Sequence, residues 1–343
     1  TWCPECRMIR RMVWRNERAL YKSKCDFCGR SIISIYPLDS LLKVYCHNCW
    51  WSDRWNLMNY GKDYDFNKSF FEQFYSLLLR VPLKNLFSFN NVGCDYANFA
   101  VESKNCYLTF GVGRSEEVFY SNKVVDSRDS LDLYFFLKNE LCYQNIIGER
   151  NYKVFFSAYV YNCNNSWFLF DCRGCSYCFC CTNLRNKSYY IFNQPYSRKE
   201  YFNKISEFNL GSFESLEKIK RQFETLKTQV LHKHANIVKS EKSVGDNVFN
   251  SKNVNYYFDI SNCENMKYGE WGEKIKDSYD GIAGIETEFC CEHVAVRGSR
   301  IFYSIFSTDS IDIKYSIDVL NCNNLFGCVG LRHKQYCILN KQY

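Results

Sequence analysis

The sequence predicts a mainly β fold: an N-terminal cysteine-ribbon region, then a duplicated β-solenoid of 12-residue period with a helical linker between its halves. Three observations carry this reading: three C-x2-C pairs within the first 49 residues, a 12-residue recurrence of small and apolar residues from Val92 onward, and a 15-residue motif that returns 147 residues later. The 343 residues provide enough chain for more than one core. With 18% aromatic residues and only 4 Pro, the composition excludes disordered and collagen-like chains. Apolar runs such as Ser76-Leu77-Leu78-Leu79 are too short to cross a bilayer, and no signal-peptide pattern opens the chain. The expected location is therefore the cytoplasm.

The cysteines divide into two populations. There are 21 of them, an odd number in a long chain without a secretory signal, which argues against a disulfide framework. The first population is Cys3/Cys6, Cys25/Cys28 and Cys46/Cys49, with 18 and 17 residues between successive pairs. Two such pairs supply the four soft thiolates that zinc takes in tetrahedral geometry. Gly29 allows the turn under the metal after Cys25-Asp26-Phe27-Cys28. The favoured assignment is Cys25, Cys28, Cys46 and Cys49 as one complete zinc site, with Cys3 and Cys6 as half of another whose second pair would precede Thr1. The rival closes one site from Cys3, Cys6, Cys25 and Cys28. His47 reads as an exposed loop residue, not a fifth ligand. Thr1, standing directly before a knuckle, suggests that the numbering is that of a fragment.

A helix is expected from Cys6 to about Tyr21, with Arg7, Arg11, Arg15, Arg18 and Lys22 along one face and Ile9, Val13 and Leu20 on another. Between Arg7 and Lys24, seven basic residues face Glu17 alone, a local +6 in a chain of net +7. A knuckle feeding such a helix is suited to phosphates, and these five residues are the candidate nucleic-acid contacts. Ser69 and Glu72 form a capping-box pair before the Phe70, Phe71, Phe74, Leu77 and Leu78 stripe, which Pro82 ends. Trp50, Trp51 and Trp55 are expected to pack between this helix and the ribbon. The predicted boundaries are 1–60 for the ribbon region, 61–91 for a helical connector, 92–196 and 247–343 for the two solenoid halves, and 197–246 for the helical linker.

In the first half, Cys94, Cys106, Val118, Ser130, Cys142, Val154 and Ser166 occupy one equivalent position. In the second, Val254, Met266, Ser278, Cys290 and Phe302 do so. A short fixed period with turn residues before each apolar position is the mark of stacked coils, none of which buries its apolar side alone. Twelve residues are either a full coil or half of one of 24. Cysteines at these positions read as small buried thiols. The halves end alike: Phe179, Cys181, Leu184, Arg185, Lys187, Tyr189, Ile191 and Asn193 match Phe326, Cys328, Leu331, Arg332, Lys334, Tyr336, Ile338 and Asn340 in register. The first copy runs on into a helix opened by Ser197 and Glu200, so the second is expected to continue past Tyr343. Leu216, Ile219, Phe223, Leu226 and Val230 trace a further amphipathic helix.

Other chemistry is poorly supported. Cys172, Cys175, Cys178 and Cys181 lack the wider last gap and following Pro of a ferredoxin-type cluster. No Cys–His pairing, carboxylate pair, Walker motif or dinucleotide-binding glycine pattern stands out.

Cys3-Pro4-Glu5-Cys6-Arg7, Arg15-Asn16-Glu17-Arg18, the Tyr45 to Trp55 segment, Phe70-Phe71-Glu72-Gln73-Phe74 and the duplicated end motif resemble a family of cysteine-rich zinc-ribbon and repeat proteins common in candidate-phylum bacterial genomes. The resemblance spans nearly the whole chain. Members typically carry a further C-x2-C before the segment matching Cys3, and denser cysteine in their repeats than is present here. It implies architecture and no activity. The expectation is thus a non-enzymatic zinc-binding protein contacting nucleic acid, RNA slightly preferred. The alternatives are a protein-interaction scaffold with structural zinc, and a polysaccharide-binding or -processing solenoid.

Overall fold

The computed structural model describes residues 2–13 and 18–343. The chain is mainly β and divides into two compact units, one of residues 1–85 with 233–343 and one of residues 86–232. This differs from the predicted boundaries. The ribbon region is no separate domain, because Leu57, Leu77, Val81 and Leu83 share one core with Val296, Ile313, Leu325, Leu331 and Leu339. The linker helices belong with the first tract for the same reason: Ile219 and Phe223 are buried with Phe168, Phe179 and Tyr201.

Each unit is built on a parallel ladder whose partners are twelve residues apart. In residues 86–232, Leu131 pairs with Tyr143, Tyr143 with Phe155, Phe155 with Trp167 and Trp167 with Phe179. In the other unit Val254 pairs with Met266, Tyr279 with Cys291 and Ile313 with Leu325. The pairing period is therefore 12 and not 24.

Within this register lies a shorter period that the sequence reading missed. Burial recurs at every third residue from Cys94 to Cys181, where an ordinary strand would bury every second. The cause is in the backbone. From Glu117 to Phe192 every third residue has a positive φ, Gly174 included, and as far as Cys181 the residue after it is buried. A left-handed L-residue costs on the order of 1 kcal/mol, least for Asn and Asp, whose side chains compensate locally. Asn247, Asn250, Asn253, Asp259, Asn262 and Asn265 take these positions in the second tract. An Asn/Asp spacing of three was the available sequence signal.

The second tract shifts register twice, between Val244 and Gly245 and again after Gly284, and the later slip corrects its predicted register. Gly284 pairs with Val296, but Thr287 pairs with Gly298, eleven residues on. The buried column is therefore Val254, Met266, Ser278, Cys290, Ile301 and Ile313, and Phe302 falls one place out of it. Gly298 permits the slip: its φ is +137°, and a Cβ there would lie 2.0 Å from the Ser310 carbonyl oxygen.

Both ladders end in the duplicated motif, closed by an antiparallel turn pairing Tyr190 with Pro195 and Cys337 with Gln342. Asn340 is buried and clamps the last edge, its amide accepting from Val329 N–H at 2.8 Å and donating to Val329 C=O at 2.8 Å. Asn193 does the same to Thr182. The side chain thus stands in for the missing next strand.

Helix α1 spans Pro4–Val13, α2 His47–Trp50, α3 Phe70–Leu78, α4 Arg198–Glu207 and α5 Phe213–Thr228. Ser69 caps α3 by accepting from Glu72 N–H, and Ser197 with Glu200 forms a full capping box on α4. No helix among the described residues is long and apolar enough to cross a membrane.

Candidate metal centre

Two short knuckles meet at the candidate centre. Strands β1 (Tyr21–Lys24) and β2 (Ser31–Ser34) form an antiparallel hairpin with Lys24 opposite Ser31. Its connecting turn carries Cys25 and Cys28. Gly29, at φ +71°, donates its N–H to Cys25 C=O at 2.9 Å. Strand β3 (Val44–Tyr45) pairs in parallel with β4 (Leu83–Lys84), then delivers Cys46 and, one turn of α2 later, Cys49. Asp26 ties the knuckles together: its carboxylate accepts from Val44 N–H at 2.7 Å, and its own N–H donates to Val44 C=O at 2.9 Å.

The four sulfurs of Cys25, Cys28, Cys46 and Cys49 all lie within 4.8 Å of one another, an arrangement suited to a metal ion. Cys28 and Cys46 sulfurs are 3.9 Å apart, close to the roughly 3.8 Å edge of a tetrahedron with metal–sulfur bonds of about 2.3 Å. Cys46 N–H donates to Cys25 Sγ at 3.2 Å, and Arg54 Nη2 lies 3.5 Å from Cys49 Sγ. Cys25, Cys46 and Cys49 are buried; Cys28 faces solvent. The Arg30 backbone N–H, with the neighbouring thiols, lowers the Cys28 pKa to about 7, whereas burial pushes Cys46 and Cys49 up. A divalent ion would replace the protons of the buried thiols, which couples metal binding to folding.

An aromatic wall backs the site. Phe27, Tyr45 and Trp55 meet edge to face with centroids 5.2 and 5.1 Å apart. Trp50 is fully buried, and its indole N–H points to Pro82 C=O at 3.4 Å. Arg332, from the duplicated end motif, lies 4.4 Å from the Trp50 ring centroid, 5.0 Å from Trp51 and 6.0 Å from Trp55, and donates to Trp50 C=O at 3.2 Å. The matching Arg185 pairs instead with Asp171 at 3.0 Å. Neither arginine forms a free basic edge.

The structure does not bring the remaining sequence candidates to this centre. Cys3 and Cys6 form an exposed pair of their own, with Cys6 N–H donating to Cys3 Sγ at 3.4 Å. Among the described residues no third ligand joins them, and the rival grouping of Cys3, Cys6, Cys25 and Cys28 is not formed. His47 is not in the thiol group; it is exposed, as expected, but stands at the start of α2 and not in a loop, and partial desolvation of its ring lowers its pKa.

The single basic helix face requires correction. The described part of α1 is Pro4–Val13, Arg15 lies outside the described residues, Arg18 sits in an exposed turn and Lys22 on β1, so the helix does not run to Tyr21. Arg7 and Arg11 point inward to two carboxylates twelve residues apart. Arg11 Nη1 lies 3.2 Å from Asp280 and 3.3 Å from Glu292, Arg7 Nε 3.1 Å from Asp280, and Arg10 Nη2 2.7 Å from Glu292. Arg11 is buried, while Ile9 and Val13 are exposed. The helix therefore spends its charged face on the ladder, because Asp280 and Glu292 would otherwise be buried anions without counter-charge. Sequence reading missed this acid pair, since its members meet only through the 12-residue register.

Neither a protein-family model nor a curated protein matches the chain. Function is accordingly argued from the residues.

Proposed function

We propose that this protein is a non-enzymatic interaction scaffold, formed by two β-solenoids of 12-residue coils, in which structural zinc at Cys25, Cys28, Cys46 and Cys49 locks a ribbon onto the end of the second solenoid. The observation that carries it is Arg332: a residue of the terminal motif is stacked among the three tryptophans that directly follow the second knuckle. Parallel register of twelve residues along most of both ladders supports the coil reading. A donor set of four thiolates favours zinc among the common divalent ions, and such sites supply folding energy, not catalysis. The acid pair that would suit sugar hydrolysis is neutralised by three arginines, which weighs against a polysaccharide-processing reading. None of the 21 cysteines is in a disulfide, which fits a reducing, cytoplasmic setting. The likeness to cysteine-rich zinc-ribbon and repeat proteins agrees with this reading.

The test is hydrogen exchange on the zinc-loaded protein before and after chelation. Residues 310–340 should lose protection together with residues 21–60. Loss confined to the ribbon would refute the cap.

One observation favours a second reading, nucleic-acid contact through the ribbon hairpin. Arg18, Lys22, Lys24 and Arg30 are all exposed there, and Lys22 and Lys24 share one face of β1. Binding to single-stranded RNA that falls steeply with salt, and is lost in a Lys22→Glu, Lys24→Glu variant, would establish it; no binding at low salt would exclude it.

A further inference from the structure

The duplication gives each ladder a copy of the same face, and the two copies are covered differently. Counted back from the matched end motifs, with the eleven-residue step at Gly298 allowed for, Tyr120, Asp132 and Gln144 of the first ladder correspond to Tyr268, Asp280 and Glu292 of the second. All six hold a positive φ and so occupy the same place in their coils. In the second ladder this face seats α1. Arg7 lies 5.7 Å from the Tyr268 ring centroid and 3.1 Å from Asp280. Arg11 reaches Asp280 at 3.2 Å, Glu292 at 3.3 Å and Tyr268 C=O at 3.3 Å. In the first ladder the tyrosine and the aspartate recur without such a cover. Helix α5 lies only over the far end of the face, where Lys220 stands 5.6 Å from the Phe156 centroid and Phe223 5.7 Å from that of Phe168. Beyond Phe156, Tyr120 is 55% exposed, and Tyr107 and Leu131 are exposed beside it. Among the described residues no ion pair reaches the half-buried Asp132, and desolvation raises its pKa.

A half-buried carboxylate beside an exposed ring suits an arginine twice over, by ion pairing and by lying across the ring. Arg7 does both in the second ladder. We propose that the Tyr120 and Asp132 face of the first ladder is the docking site for an arginine-bearing helix of a partner protein, seated as α1 is seated on Tyr268 and Asp280. The partner helix carries two arginines four residues apart, the spacing of Arg7 and Arg11, which places both on one side. Tyr107 and Leu131 supply apolar contact next to the ion pair. Gln144 stands where the second ladder has Glu292, so this face offers one carboxylate instead of two and holds its helix less tightly, as a reversible partner requires. A second copy of the chain has no free α1 to offer, because Arg7 and Arg11 are already spent on Asp280 and Glu292. The inference rests on the scaffold reading and names its class of partner.

The probe is a fluorescent peptide of residues 2–13 with both cysteines changed to Ser. A covalent bridge between the positions of Ile9 and Val13, which are exposed in α1, keeps it helical. It is titrated by anisotropy into the zinc-loaded full-length protein. Asp132→Asn is the principal variant, since Asn keeps the shape and tolerates the left-handed backbone; Tyr120→Ala is the second, and zinc content with thermal melting verifies that each has folded. Wild type should bind, with affinity falling as salt rises. Asp132→Asn, or Arg7→Ala with Arg11→Ala in the peptide, should weaken binding by about tenfold or more, and Tyr120→Ala by about threefold. No binding at low salt overturns the proposal. So does equal affinity in wild type and Asp132→Asn, which would place the peptide on Asp280 in exchange for α1. A doubling of mass without peptide that Asp132→Asn abolishes would give the face to a second copy and overturn the partner assignment. The cap is read separately, in the protection of residues 310–340 on chelation, so the peptide result can fail while that one holds.

Discussion

His293 is fully buried in the second ladder, with no hydrogen-bond partner on either ring nitrogen among the described residues. Gly281 makes room for it: a Cβ there would lie 2.3 Å from His293 Nε2, and the Tyr257 hydroxyl fills the neighbouring space while donating to Gly281 C=O at 3.1 Å. Burial, helped by the Arg11 guanidinium, pushes the imidazole pKa down to about 3. In the unfolded chain it returns to about 6.5. Between these values the unfolded state binds a proton that the native state refuses, so stability falls as the pH drops below about 6.5. The slope approaches about 1.4 kcal/mol per pH unit, and the accumulated loss near pH 5 is about 2 kcal/mol. His293→Leu, close in volume and unable to titrate, should remove this component. Native-state hydrogen exchange of amides in Cys291–Thr308, compared between about pH 7.5 and pH 5, isolates it from the acid response of surface carboxylates. Parallel loss of stability in wild type and His293→Leu would show that the ring is solvated or paired, and would refute the reasoning.

Three further outcomes follow from the same packing. Cys28→Ser should abolish tight zinc binding and lower the melting temperature, whereas Cys3→Ser and Cys6→Ser should leave the zinc of the described centre in place; metal counts after gel filtration separate the two knuckle pairings. Arg332→Ala should cost about 2 kcal/mol, the upper range for a desolvated cation over an aromatic face, and Arg332→Lys should not restore it, because stacking against the Trp50, Trp51 and Trp55 rings uses the planar guanidinium. Gly298→Ala should cost on the order of 3 kcal/mol, since its Cβ would meet a backbone carbonyl. Gly113→Ala, whose Cβ would only touch Val125 methyls at 3.8 Å, should be close to neutral, and denaturant melts of both report the difference.

Much of the fold and the candidate metal centre was legible in the residues. The paired knuckles identified Cys25, Cys28, Cys46 and Cys49, because tetrahedral thiolate coordination demands that local spacing. The recurrence of Cys94, Cys106 and Val118 revealed the period, because stacking aligns like residues. The helices at Phe70, Arg198 and Phe213 followed from caps and apolar stripes, which are also local. The three-residue inner period escaped, since a left-handed residue at every third position leaves only a statistical trace of Asn and Asp. The slip at Gly298 escaped too, because one residue lost from a period is invisible until the partners are paired.

The sequence by itself therefore determined what local chemistry enforces: the knuckles, the helix caps and the twelve-residue recurrence. The tertiary structure alone decided which distant residues share a row. It turned Arg7 and Arg11 inward onto Asp280 and Glu292, roughly 270 residues away in the chain. It set Arg332 against the tryptophans of the ribbon. Charge and spacing in a sequence specify what a side chain can bind, but only the fold supplies its nearest counter-charge, and a buried arginine is committed to that partner before any ligand arrives.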